Sequence, residues 1–288
     1  FPEVPQAVCD RLMDEAVSPL IDAWRESPMG ESKRGEAVAR RIRRTAKRTA
    51  RNILSQYADS SFRPLRMEFV FGQNGLSPIV LELSDGTFVY LQGRIDRVDV
   101  MTGGGLRVID YKSGARKFDP TLVYWGLQLQ LLLYLAAALS RVPGSHAAGF
   151  FYCRIADPTV KTESHIREEV EKQIAKKLSL QGISLSDVAI LRAQGGSVAS
   201  MVTKDGKPNG RYAASMVDEA GMEKLLDFAK RKAAELAGEI YRGEMDDSPV
   251  ERGAFNACQN CEYSAICAFD PMRKPRRRLT AKKLDDLL

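Results

Sequence analysis

Two aspartates and a lysine within the segment 93–114 have the types and spacing needed to hold a divalent metal ion. Asp110 and Lys112 end an apolar run and alternate with Tyr111. On a β-strand the acid and the lysine therefore share one face, and the tyrosine takes the other. The preceding segment 93–99 supplies Asp96, and a glycine-rich turn follows it. We expect the two segments to pair as an antiparallel hairpin that brings Asp96 beside Asp110.

The chemistry that suits this trio is magnesium-dependent hydrolysis of a phosphodiester. Carboxylate oxygens are the hard ligands that Mg²⁺ prefers. A bound metal ion lowers the pKa of a water ligand and neutralises charge on the phosphate, and a lysine stabilises the same charge. An acid and a lysine two residues apart on a strand also form ordinary salt bridges. Other motifs must therefore decide between the two interpretations.

Length and composition indicate a soluble globular protein. The chain has 288 residues, of which 44% are hydrophobic and 28% charged, enough for one large or two modest domains. No apolar run is long enough to cross a bilayer, and no signal peptide opens the chain. We therefore expect a cytoplasmic protein with no membrane partner. Because the chain begins at Phe1, we also expect that more sequence precedes it.

Positive charge is concentrated in two segments. The net charge is +6, with nine basic residues between Lys33 and Arg51 and seven between Arg273 and Lys283. Such clusters either bind phosphates or form a solvated helix face and a tail. The residues predicted to bind backbone phosphates share one face of the first cluster: Arg44, Lys47, Arg48 and Arg51.

The hydrophobic periodicity predicts how these residues are positioned. Helical spacing occurs over 8–24, where Pro19 should cause a kink or break, and over 33–57, 123–141 and 217–242. Alternating patterns predict a four-stranded meander over 65–71, 79–83, 87–100 and 106–112, and a further strand at 147–155. We expect a helical segment over 1–60, a core over 61–245 with a loop-rich insertion at 161–209, and a cysteine segment with a basic tail over 246–288.

The predicted helix over 123–141 is apolar nearly all round, which indicates burial against the sheet. Gln128, Gln130 and Tyr134 are its polar exceptions. Buried amides and hydroxyls need partners, so these are either satisfied core groups or site residues. Gln130 and Tyr134 lie four residues apart and share one face.

Three of the five cysteines form a C-x₂-C-x₅-C pattern at Cys258, Cys261 and Cys267. Close thiolates of this kind chelate a metal centre, which needs a fourth ligand. The spacing alone suits zinc and an iron–sulfur cluster equally well. Cys153 falls within a predicted strand and is interpreted as a buried apolar residue.

These motifs, in this order, resemble the C-terminal nuclease domain of the AddB subunit of AddAB-type helicase–nucleases. That domain belongs to the RecB-like branch of the PD-(D/E)xK nucleases. The resemblance runs from about residue 63 to residue 270. It implies an α/β fold, a mixed sheet flanked by helices, with a C-terminal cysteine cluster.

The resemblance also implies roles for individual residues. Asp96 and Asp110 look like the Mg²⁺ ligands, with the Tyr111 carbonyl as a third, and Lys112 looks like the catalytic lysine. Gln130 and Tyr134 look like the helix residues that complete the site. The three clustered cysteines look like ligands of a 4Fe–4S cluster. Its fourth ligand is expected before Phe1, with Cys9 as the minor candidate.

An AddB-like domain is expected to work with an AddA-like partner as an exonuclease on double-stranded DNA ends and single strands, in break resection and recombinational repair. The family's upstream cysteine-plus-aromatic segment and G-x₃-H helix do not appear here, nor does a P-loop. Three alternatives stay open. They are a stand-alone iron–sulfur exonuclease of the kind used in CRISPR adaptation, a non-catalytic DNA-binding subunit with a decayed nuclease fold, and a zinc-stabilised fold whose acid and lysine form only a salt bridge.

Overall fold

The computed structural model describes residues 4–73, 77–161, 166–244, 246, 248–253, 255–259, 261–267 and 269–288. The chain forms two compact units. The first comprises Phe1–Phe69, Arg94–Phe118 and Tyr134–Met222, and the second comprises Val70–Gly93, Asp119–Leu133 and Glu223–Leu288. This division differs from the predicted boundaries at residues 60 and 245, because the chain leaves each unit and returns to it.

The elements follow one another from an N-terminal pair of helices, through a strand-rich middle, to a long helix and short terminal strands. In chain order they are α1 (Gln6–Arg25), α2 (Lys33–Ala58), β1 (Arg63–Phe71), β2 (Ile79–Glu82), β3 (Phe88–Leu91), β4 (Gly93–Val100), β5 (Gly105–Lys112), α3 (Pro120–Tyr124), α4 (Gln130–Arg141), β6 (His146–Arg154), α5 (Arg167–Lys177), β7 (Gln181–Leu185), α6 (Val188–Gln194), α7 (Gly196–Ala199), β8 (Met216–Val217), α8 (Glu219–Tyr241), β9 (Val250–Arg252), β10 (Phe255–Asn256) and β11 (Arg277–Arg278). Short 3₁₀ helices span Gly210–Ser215 and Leu284–Leu287.

A six-stranded mixed sheet in the order β1-β4-β5-β6-β7-β8 forms the centre of the fold. β4 and β5 pair antiparallel, β5 and β6 parallel, and β6 and β7 antiparallel. The sheet confirms the predicted mixed α/β class. The predicted four-stranded meander is wrong, because β2 and β3 form a separate two-stranded sheet. β3 and β4 do not pair with each other, because only Gln92 separates them and one residue is too few for a hairpin turn.

Two of the predicted helices differ from the observed ones. α1 is one helix that contains Pro19, where we predicted a kink or break. Pro19 and Glu15 are both exposed, so water can bind the carbonyl that the proline leaves unpaired. The helix predicted over 123–141 is split into α3 and α4. Gly126 lies between them with a φ of +78°, a conformation that glycine adopts without strain.

The segment 161–209 is not the predicted loop-rich insertion, since it supplies β7 to the central sheet and also contains α5, α6 and α7. The strand signal is weak because β7 is only five residues long and one of them is Gly182. A Cβ at Gly182 would lie 1.9 Å from the carbonyl oxygen of Phe150 on β6. Close packing of the two strands therefore requires the glycine.

A fully buried charge network, which the sequence patterns did not predict, lies on one face of the central sheet. The side chains of Arg97, Asp99 and Arg107 have no exposed surface. Arg97 Nε and Nη2 donate to the two oxygens of Asp99 at 2.9 and 2.8 Å, and Arg107 Nε donates to Asp99 Oδ2 at 2.8 Å. Tyr57 Oη donates to Asp99 Oδ1 at 3.0 Å. One carboxylate therefore compensates two buried guanidinium groups.

The same network joins distant parts of the first unit. Arg107 Nη1 donates to Gln194 Oε1 at 2.9 Å, which links β5 to α6. Its guanidinium also lies 4.5 Å from the centre of the Phe62 ring. Burial lowers the pKa of Arg107, and burial raises the pKa of Tyr57, next to the Asp99 carboxylate. The network thus links side chains of α2, β4, β5 and α6, and Asp99 is the anion within it.

We predict that Asp99→Asn lowers the free energy of unfolding by about 3–5 kcal/mol, because it leaves two buried cations without an anion. The measurement is the midpoint of urea unfolding at unchanged slope. Asp22→Asn is the matched control. Asp22 is 61% exposed and pairs with Arg25 on the surface of α1, so its loss should cost less than about 0.5 kcal/mol. Equal shifts in the two variants would contradict a structural role for the buried network.

Candidate active site

The hairpin of β4 and β5 brings Asp96 to the end of the strand that carries Asp110. Its paired positions begin at Arg97 opposite Ile109, and Asp96 and Asp110 are the next residues along the two strands. Asp96 Oδ2 accepts a hydrogen bond from the backbone N–H of Tyr111 at 2.8 Å. The Asp96 carboxylate is thereby held against β5 beside Asp110.

Asp110 and Lys112 form an ion pair on one face of β5. The Asp110 side chain is 2% exposed, and the Lys112 side chain is 30% exposed. Lys112 Nζ lies 2.7 Å from Asp110 Oδ2. The Tyr111 side chain takes the opposite face, where its hydroxyl accepts a hydrogen bond from Arg97 at 3.0 Å. The side chains of Asp110, Tyr111 and Lys112 therefore alternate between the two faces of β5, as the sequence pattern predicted.

The surroundings of Asp110 disfavour its charged form. Burial raises the pKa of Asp110, and the neighbouring charge of Asp96 raises it further, while Lys112 and Arg116 act in the opposite direction. In the part of the chain that the structure describes, Asp110 Oδ2 accepts no hydrogen bond of good geometry besides its ion pair with Lys112. A buried carboxylate of this kind gains most from a cation placed against it.

The donor set fits a hard divalent cation. Asp96 and Asp110 offer carboxylate oxygens from two adjacent strands, and Lys112 is the cation that already lies against Asp110. These are ligands of the type that Mg²⁺ takes, with water at its remaining positions. The Tyr111 carbonyl as a third ligand stays a prediction. Within the described ranges, no group of three or more His, Cys, Asp and Glu side chains is arranged to hold a metal ion.

Arg116 is a cation near Asp110 that the motif analysis did not single out. Its positive charge acts on Asp110 from the exposed segment that follows β5. The available signal was its position, four residues after Lys112 and directly beyond the Ser113–Gly114 break in the strand pattern. The end of β5 therefore presents two cations where the sequence analysis identified one.

Gln130 and Tyr134 lie one turn apart at the beginning of α4. Gln130 is exposed and Tyr134 is partly buried. Tyr134 falls in the first compact unit and Gln130 in the second, so their roles in completing the site stay predictions. Gln128 has a structural role, since it is buried and its Oε1 accepts from the Asp119 N–H at 2.8 Å.

Each of the four cations predicted to bind DNA has a carboxylate partner. Lys47 pairs with Asp14 at 2.6 Å and Arg51 Nε with Asp10 at 2.8 Å, which ties α1 to α2. Arg44 pairs with Asp157 at 3.2 Å, and Arg48 pairs with both Asp157 and Glu171. The signal for the first two pairs was the spacing of Asp10 and Asp14, four residues apart on α1. DNA contact by this face stays a prediction.

The clustered cysteines lie in a compact series of turns in the second unit. Cys258 and Cys261 are partly buried, and Cys267 is exposed. The Cys261 N–H donates to the Cys258 carbonyl at 3.4 Å, and the Cys267 N–H donates to the Tyr263 carbonyl at 2.8 Å. Cys9 is a buried residue of α1. Cys153 is buried in the core beside Ile109 and Phe151, as predicted for an apolar residue.

Comparison with known proteins agrees with this geometry. A model of the PD-(D/E)XK nuclease superfamily matches residues 2–268. AddB, an ATP-dependent helicase/deoxyribonuclease subunit, from Alkaliphilus metalliredigens is 34% identical over 278 residues, which cover 91% of this chain and 24% of that protein. The proteins of the same name from Clostridium tetani and Caldanaerobacter subterraneus are 34% and 35% identical, each over 26% of its own length. They cover 99% and 98% of this chain.

The chain spans about a quarter of the length of these curated relatives. The family match, by contrast, covers nearly the whole chain, including both strands that carry the paired acids and the lysine. The mixed sheet also presents an acid and a lysine two residues apart beside a second acid. The family match shows that the chain belongs to the PD-(D/E)XK nuclease superfamily.

Proposed function

We propose that the chain is the magnesium-dependent DNA nuclease module of an AddB-like helicase–nuclease subunit, and that it cuts as an exonuclease. The observation that carries the proposal is that Asp96, Asp110 and Lys112 lie together on one face of the paired strands β4 and β5, where β5 ends. Intact acids and lysine in this geometry argue against a decayed, non-catalytic subunit. The names and lengths of the relatives favour an AddB-like protein over a stand-alone exonuclease.

The two carboxylates are the groups that would hold Mg²⁺, with the Tyr111 carbonyl as a further ligand. When bound, the ion supplies Lewis acidity and a water of lowered pKa. Lys112 keeps Asp110 in its charged, ligating form by pairing with it in a buried site. The backbone N–H of Tyr111, on the strand that carries Asp110, donates to Asp96 and so holds the Asp96 carboxylate in place.

Lys112 and Arg116 are proposed to stabilise the phosphate that undergoes hydrolysis. The ammonium group of Lys112 is partly exposed, and Arg116 lies on the exposed segment just beyond it. Developing negative charge on a phosphate is stabilised by cations that are already in place. Gln130 and Tyr134 are proposed to complete the site from α4.

The proposed substrate is DNA, both double-stranded ends and single strands, processed during break resection and recombinational repair with an AddA-like partner. The relatives' description as helicase/deoxyribonuclease subunits supports this. The face with Arg44, Lys47, Arg48 and Arg51 is proposed to contact phosphates by exchanging its carboxylate partners for DNA. Among the described residues, no helix is both long and apolar enough to cross a membrane. The proposed location is the bacterial cytoplasm.

Cys258, Cys261 and Cys267 are proposed to ligate a 4Fe–4S cluster. Three thiols within one short series of turns offer three of the four ligands that such a cluster takes. Cys9 is a poor fourth ligand because it is buried within α1, and burial raises the pKa of its thiol above the ordinary value. Ligation requires the thiolate. The fourth ligand is therefore proposed to lie outside this chain.

We predict that Asp110→Asn abolishes DNA cutting by this domain and that Lys112→Ala slows it by about 10²–10³-fold, the usual cost of losing one preorganised group that stabilises charge. The measurement is the single-turnover cleavage rate in Mg²⁺, in the full-length protein with any second nuclease site inactivated. Lys172→Ala is the matched control, because that lysine side chain is 72% exposed on α5. Wild-type rates in either site variant would place the reaction elsewhere.

A second prediction concerns the iron. Cys261→Ser should lose iron and acid-labile sulfide from the full-length protein, and the domain should become more sensitive to proteases, because ligand bonding contributes to folding. Cys9→Ser should keep the wild-type content of both. Loss of iron from the Cys9 variant would make Cys9 a ligand, and zinc in place of iron would rule out the cluster.

A further inference from the structure

A cleft of about 830 Å³ opens in the first unit where β5 and β6 end. One wall is the N-terminal half of α2, and the other is the segment that follows β6. Ser113, the residue after Lys112, also lines it, so the cleft opens at the end of β5 where Lys112 lies. Its other lining residues that matter for ligand chemistry are Val38, Arg41, Ile42, Arg44, Arg154, Asp157 and Lys177.

The charge of this cleft is positive. Its one acidic lining residue, Asp157, is already paired with Arg44 and Arg48. Arg41 and Arg154 form no ion pair within the part of the chain that the structure describes. Lys177 donates to the Thr159 carbonyl at 2.7 Å, which leaves its positive charge without an anion. The cleft thus offers three cationic groups to an anionic ligand.

Arg154 carries the strongest indication of a missing partner. Its Nε is buried, and among the described residues it has no hydrogen-bond acceptor. A buried donor without an acceptor is costly, and such groups are rare in folded proteins. Arg154 pairs in register with Lys112 across the parallel strands, so both side chains lie on the same face of the sheet. Adjacent strands are about 4.8 Å apart, so the backbone of Arg154 runs next to that of Lys112.

The wall formed by α2 also offers apolar contact. Val38 and Ile42 lie one turn apart on α2, and they are 39% and 44% exposed. Aliphatic side chains beside unpaired cations suit a ligand that is both apolar and anionic. An unpaired nucleotide strand has this character, because its bases present flat faces and its backbone carries one charge per residue. A duplex keeps its base faces stacked inside and cannot use such a wall.

We propose that this cleft binds single-stranded DNA directly beside the scissile phosphate. Arg154 binds a phosphate adjacent to the one that is cut, Arg41 and Lys177 bind further phosphates, and Val38 and Ile42 contact the bases. The cleft volume lies within the range of about 300–1,000 Å³ typical of small-ligand sites, so it holds a short stretch of strand. This inference rests on the proposed nuclease function, to which it adds a specific strand-binding groove.

The test is the affinity of the full-length protein for a short oligothymidylate, measured at several salt concentrations in magnesium-free buffer. The double variant Arg41→Ala/Arg154→Ala should flatten the slope of log affinity against log salt by about 1.4, or about 0.7 for each lost contact with a single strand. Arg40→Ala is the matched control. Its side chain is 64% exposed on the same helix, pairs with Glu36 and does not line the cleft.

Two further variants keep the test decisive. If Arg154→Ala impairs folding, Arg41→Ala/Lys177→Ala removes two exposed cations instead and should flatten the slope equally. Val38→Ser/Ile42→Ser should weaken binding of the single strand with no change in slope. An unchanged slope in both charge variants would overturn the groove, and so would an equal loss of affinity for a blunt duplex. Cutting that survives Asp110→Asn would instead overturn the nuclease site, so the two failures are distinguishable.

Discussion

The pairing register of β4 and β5 is the constraint on which the candidate site depends. Side chains alternate along each strand, so the register that puts Asp96 beside Asp110 on one face also puts Arg97, Asp99 and Arg107 on the other. Asp99 lies directly opposite Arg107, and their buried ion pair, on the face opposite Asp96 and Asp110, stabilises that register. A slip of one residue would send every one of these side chains to the wrong face.

The candidate site holds two like charges close together in a poorly solvated place, which opposes folding. Burial of Asp110 and the charge of Asp96 both disfavour the ionised pair, while Lys112 and Arg116 favour it. The rigid strands and the hydrogen bond from Tyr111 to Asp96 keep the acids together despite this cost. A cation bound between the acids would relieve their repulsion. Two buried acids whose repulsion an added cation relieves are the arrangement that a metal-dependent nuclease requires.

The sequence predicted the parts of the site that depend on local pattern. Alternation along β5 and the glycine-rich turn were enough to place Asp96, Asp110 and Lys112 on one face of two paired strands. Features that depend on distant segments were not predictable in this way. Gly182 weakens the strand signal of β7, yet the close approach of β6 requires a glycine there. The carboxylate partners of the basic face of α2 come from α1, from α5 and from the segment after β6. The break at Gly126 depends on a backbone conformation that hydrophobic spacing does not report.

The proposed metal site is tested most directly by divalent metal binding to the purified full-length protein, measured by calorimetry with Mg²⁺ or by electron paramagnetic resonance with Mn²⁺. We predict that the wild type binds at this site, and that Asp96→Asn and Asp110→Asn each abolish that binding. Asp22→Asn, which removes an exposed carboxylate from α1, should leave it unchanged. Wild-type binding in both site variants would contradict the claim that these two acids form the metal site.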